Sequence, residues 1–105
     1  MVISLDGKPR RVRQWYKNHI YRMYDFRILY EQEQATTDPQ EKKRIRGKAK
    51  HPGKKAAQHA KYGIISLKIP EEEVRRFGLA IIAEVKKKKS PKAIIQELIR
   101  ENGQK

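Results

Sequence analysis

Apolar residues form four periodic stretches along the chain and leave one stretch almost empty. From Pro9 to Gln34 no glycine or further proline interrupts, and Val12, Tyr16, His19, Met23, Phe26 and Tyr30 recur at alternating four- and three-residue steps. Trp15, Ile20, Tyr24 and Ile28 widen that stripe, so the pattern predicts one long helix. From Ile64 to Ile69 the period changes to two. Ile65, Leu67 and Ile69 fall on one side and Ile64, Ser66 and Lys68 on the other, which predicts a short strand. Pro70 ends it, and Glu71, Glu72 and Glu73 place negative charge at the positive end of a following helix. Val74, Phe77, Gly78, Ile81, Ile82 and Val85 make the apolar stripe of that helix, and Lys86 to Lys89 suit its negative end. Ser90 then reads as an N-cap with Pro91 in the first helical position, and Ile94, Ile95, Leu98 and Ile99 form the stripe of another helix, which Asn102 and Gly103 end.

The empty stretch is Gln40 to Lys61. Ile45 is its only large aliphatic residue, and Gly47 and His51-Pro52-Gly53 interrupt any helix face. Such a segment cannot bury enough to order itself and reads as a linker or basic arm. The chain therefore divides into a helical region at 1–39, a basic arm at 40–61, and a strand-helix-helix unit at 62–105.

Charge sharpens this picture. The 105 residues carry 26 Lys and Arg against 12 Asp and Glu, a net charge of +14. Residues 40–61 hold nine of the bases and one acid, so more than half of the excess lies in the arm. An anionic partner is the leading expectation, with nucleic acid ahead of a membrane surface. There is no cysteine, hence no disulfide and no thiolate chemistry. His19, His51 and His59 are not spaced as metal ligands, and no phosphate loop or nucleophile constellation occurs, so neither an enzyme nor a cofactor is expected. The apolar runs are far shorter than the roughly 20 residues of a bilayer span, which points to a soluble, cytoplasmic protein.

The 40-residue strand-helix-helix unit is too small to supply a core alone, and its lone strand has two unpaired edges. Two copies pairing their strands antiparallel would solve both problems. The run from Ile65 to Val74 followed by Ser90 to Arg100 resembles the ribbon-helix-helix family of DNA-binding regulators, the type of the Arc and MetJ repressors. The resemblance implies a mainly α fold with one short β-strand per unit, an intertwined homodimer, and here an additional long N-terminal helix, basic and aromatic. It further implies that Ile64, Ser66 and Lys68 on the outer side of a two-stranded ribbon read bases in the major groove of double-stranded DNA. Phosphates would be held by Ser90, Lys92 and Ala93 at the start of the second helix, beside Lys88 and Lys89. Lys42, Lys43, Arg44, Arg46, Lys54 and Lys55 of the arm would add backbone contacts.

On that reading the protein is a sequence-specific transcriptional regulator, a repressor by family resemblance, able to assemble further on DNA. A second reading uses the basic helix Arg10 to Arg27 and the arm to coat or package DNA or RNA without sequence preference. The N-terminal helix holds six of the eight aromatic residues, so it also suits oligomerisation or a protein partner, as in an antitoxin-like module. Finally, Ile3-Ser4-Leu5 echoes Ile65-Ser66-Leu67, and Asp38-Pro39 echoes Ser90-Pro91 as a helix start. A degenerate tandem repeat would carry both strands in one chain.

Overall fold

The computed structural model of the protein describes residues 1–101. Four helices dominate it: α1 (Arg10–Ala35), α2 (Pro39–Ile65), α3 (Glu71–Lys86) and α4 (Pro91–Leu98). Two-residue strands β1 (Ile3–Ser4) and β2 (Ile99–Arg100) pair in parallel, Ile3 opposite Ile99, and the Leu5 amide extends the pairing to the Arg100 carbonyl at 2.8 Å. No helix among the described residues is long and apolar enough to cross a membrane.

Helix α1 is the central element. Its Trp15, Tyr16, His19 and Ile20 are buried, and α2, α3 and α4 all pack on it. α1 and α2 form a long antiparallel hairpin, each helix about 40 Å by its length. Along the seam Trp15 meets Gly63, His19 meets His59, Phe26 meets Gly53 and Arg46 meets Glu33, so each step forward on α1 is one step back on α2. α3 closes the core from the other side: Phe77 lies edge-on to Tyr16 at 5.2 Å, and Ile81, Val85 and Ile94 complete an interior with Leu5, Ile20 and Leu98.

The helix boundaries are set by caps. Asp38 Oδ1 accepts from the Gln40 amide and Pro39 opens α2; Ser90 Oγ accepts from the Ala93 amide and Pro91 opens α4. Glu71, Glu72 and Glu73 fill the first turn of α3 after Pro70. α3 ends in paired 6→1 and 5→2 hydrogen bonds, Lys89 amide to Glu84 carbonyl and Lys88 amide to Val85 carbonyl. Lys88 takes the left-handed position of that motif, φ 63°, which glycine usually fills.

The expected ribbon-helix-helix architecture does not form. Ile64 and Ile65 are the last residues of α2, Ser66 to Ile69 make the turn, and no antiparallel strand pair exists among the described residues. The six-residue alternation is too short to outweigh the core: Ile69 is buried, Ile65 is exposed, and Pro70 holds Ile69 extended ahead of α3. With no ribbon, the intertwined dimer has nothing to pair. The strand-helix-helix unit does need outside surface to complete its core, and α1 supplies it within the same chain. Ile3–Ser4 is a strand, but its partner is Ile99–Arg100, which also ends α4 before Asn102 and Gly103; that expected stop lies outside the described residues.

Residues 40–61, expected as a linker or arm, lie within α2 and run helical through Gly47, Pro52 and Gly53. Their inner face is built of Ile45, Ala49, Ala56, Ala60 and Gly63, which bury little themselves but let the aromatic rings of α1 approach closely. Tertiary packing supplies what local propensity lacks.

That close approach makes the glycines of α2 unequal. A Cβ on Gly63 would lie 2.5 Å from the Trp15 indole, whereas one on Gly47 would meet nothing within 4 Å. Gly63→Ala is expected to lower stability by about 1–3 kcal/mol through overpacking, and Gly47→Ala to raise it by up to about 1 kcal/mol through helix propensity. Thermal melts that move both variants in the same direction would refute this account of the seam.

Candidate nucleic-acid interface

Because all the packing of α2 is on one side, the rest of its circumference is free to carry charge. At 100° per residue, Lys43, Lys50, Lys54 and Lys61 fall within about 40° of one line, opposite Ile45 and Gly63. All four are exposed, and they span about 27 Å along the axis. Arg44, Lys48, His51 and Lys55 form a second row on one flank, ending in exposed Tyr62. Arg22 of α1 lines a small surface hollow with Asp25, His51 and Lys55 on that side.

Little of this charge is neutralised. Arg46 pairs with Glu33 of α1 at 2.6 Å, and Arg44 pairs with Glu41. The other seven bases of α2, all lysines, have no carboxylate within 4 Å among the described residues. The lysine run after α3 differs: Glu84 takes both Lys87 at 3.4 Å and Lys89 at 2.7 Å, and Lys89 also reaches Glu97 at 3.3 Å. Those lysines partly serve to fasten the α3–α4 turn.

The residues expected to touch DNA are thus distributed differently from the resemblance. Ile64 is half-buried against the core, Ser66 is the C-cap of α2, and Lys68 sits in the turn with φ 60°, so the three share no strand face. At the start of α4 the Ala93 amide already donates to Ser90 Oγ and Pro91 has none, which leaves Lys92 as the free first-turn amide of the expected phosphate clamp. Lys88 and Lys89 lie beside it. In contrast Lys42, Lys43, Arg44, Arg46, Lys54 and Lys55 are brought onto one helix, with Lys48, Lys50 and Lys61 beside them. The sequence signal for that helix was the spacing of small residues on α2, which a search for large aliphatics passes over.

No family model matches the chain. No curated protein and no solved structure is detectably similar to it either.

Beneath the basic surface lies a stack of three rings. Trp15 lies parallel to both His19 at 4.6 Å and His59 at 5.1 Å between centroids, with the two histidines 5.1 Å apart side by side against it, and its indole N–H donates to the His59 carbonyl at 2.8 Å. The two histidines share a hydrogen bond between their Nδ1 atoms at 2.9 Å, so one ring donates and the other accepts. That bond needs at least one ring neutral to accept, and it is lost when both are protonated. Burial, then the facing His59 and Arg22, push His19 down to about 3; burial and Arg22 push His59 down to about 4. Edge-on to Trp15 at 5.1 Å, Tyr16 donates its hydroxyl to Glu73, and burial raises its ionisation well above the usual phenol range. Among the described residues no group of three or more His, Cys, Asp or Glu is placed to hold a metal ion.

The histidine pair sets a pH dependence. Above the unfolded value near 6.5 the rings are neutral folded and unfolded, and the seam is at full strength. As pH falls from 6.5 toward 4 the unfolded chain takes up protons that the folded pair refuses, so stability falls with pH. Buried His19 alone is expected to remove about 2 kcal/mol by pH 5. The paired carboxylates Glu41, Glu72 and Glu84 are held below their ordinary value by the bases they pair with, so they too lose stability as pH falls, at the acid end of this range. Denaturant unfolding at pH 7 and pH 5 reads the effect, and equal stabilities would show that the rings do not pair as neutral bases.

Proposed function

We propose that the protein binds double-stranded DNA through the outer surface of α2, by contact with the phosphate backbone and with little sequence preference. The observation that carries this reading is the set of seven lysines on one helix with no carboxylate within reach, on a rigid element rather than a disordered arm. Held about 27 Å in a line, the central row matches the run of a phosphate backbone, and neutralising phosphates releases condensed counterions. Arg10 and Arg11 add to the field, since the first turn of α1 holds no acid to offset its positive dipole end. The central α2 row is lysine throughout, and such point charges suit phosphates rather than base edges, which favours coating or packaging over operator recognition.

Replacing Lys43, Lys50, Lys54 and Lys61 together by Ala leaves the inner face of α2 untouched and is expected to keep the fold. The slope of log affinity against log salt should shrink by about 3–4, and affinity should fall equally on every duplex sequence. An unchanged slope would remove α2 from the interface. Selection from random duplex DNA at about physiological salt gives the second check: retention without an enriched motif supports this reading, and enrichment of a short or two-fold motif would instead support a sequence-specific regulator.

A further inference from the structure

Helix α3 carries a second surface with a different character. Glu72, Arg75, Leu79, Ile82 and Lys86 follow one another at three- and four-residue steps along its outer side, the spacing of a helix-pairing seam. Leu79 is 61% exposed, more than any other large apolar residue described. Together with Ile82 it forms one bank of an open groove of about 330 Å³, whose floor and other bank include Met23 and Phe26 of α1 and Ala57 and Ala60 of α2. No lysine of α2 lines this groove.

The charges along α3 indicate what covers it. Its acids other than Glu84 stand in the first turn, where Glu72 makes exposed ion pairs with Arg75 and Arg76 of its own helix that leave this end net acidic, and its lysine is in the last turn, Lys86, which has no carboxylate within 4 Å among the described residues. A helix of this pattern is complementary to itself when reversed. With a two-fold axis at Leu79, Glu72 faces Lys86 of a second copy at both ends, Ile82 faces the aliphatic stem of Arg75, and the two Leu79 side chains meet on the axis. The helix dipoles also oppose. Repulsion between two chains of +14 is screened beyond about 8 Å at physiological salt, so the local pairs decide the orientation.

We propose that this face of α3 is a homodimer interface, with two copies of α3 packed antiparallel about Leu79. It leaves the lysine rows of α2 free on both protomers.

The test is sedimentation of the full chain at about physiological salt over a range of concentrations. A reversible monomer–dimer equilibrium is expected, and a chain that remains monomeric throughout overturns the proposal. Leu79→Glu should weaken association by about 100-fold or more, because both copies of a buried leucine are lost. Its melting temperature should stay that of the wild-type monomer, since the side chain is outside the core. Glu72→Lys and Lys86→Glu should each be folded and monomeric alone, facing like charges at both ends, and should dimerise when mixed in equal amounts. If the two swapped chains ignore each other, or if Leu79→Glu associates as the wild type does, the antiparallel α3 pair is wrong.

Discussion

The fold depends on how closely α1 and α2 approach. Trp15 and Phe26 reach the α2 backbone because Gly63 and Gly53 have no side chains there, and the alanines between them keep the gap narrow. An antiparallel pair of this kind gains most of its contact from one partner's rings, so α2 need contribute almost no hydrophobic surface of its own. That asymmetry is what permits a 27-residue helix with nine bases and one acid. It also explains why a proline at position 52 is tolerated: the missing backbone bond is offset by packing along the whole inner face.

Much of the local structure was legible in the residues. The α1 stripe, the Ser90-Pro91 start and the glutamates opening α3 correspond to elements that begin where the residues place them, although α4 stops at Leu98, earlier than expected. These signals are local, and each describes a cap or a face. The turn at Ser66 to Ile69 was not legible, because a period of two over six residues fits the end of one helix plus an extended turn as well as it fits a strand. α2 was not legible for another reason. Its stability is in α1, and no inspection of residues 40–61 alone can find it.

The same logic separates the two basic regions. Read from the sequence, the lysines after α3 and those of the arm were both expected on the DNA backbone. In the folded protein, Lys89 bridges Glu84 and Glu97 and belongs to the scaffold, whereas Lys43, Lys50, Lys54 and Lys61 have no carboxylate within 4 Å among the described residues. The expected phosphate clamp at Ser90 is altered by its own cap, since a hydroxyl that accepts from the Ala93 amide removes that amide from the set free for an anion. Charge counts locate a class of partner; only the fold divides the charges between structure and surface.

The two-residue ladder between Ile3–Ser4 and Ile99–Arg100 has a consequence for the order of folding. Every rung of the α1–α2 hairpin is reached by zipping outward from the turn at Thr36–Asp38, so its loops close a few residues at a time. The ladder instead joins residues almost a whole chain apart, and its loop-closure entropy is offset only when α3 and α4 are already docked. It is therefore the last contact to form and the first to open, and its amides should exchange with solvent sooner than those of the helical seam. Leu5 and Ile99, buried at that junction, make the final closure of the core a packing event as much as a hydrogen-bonding one.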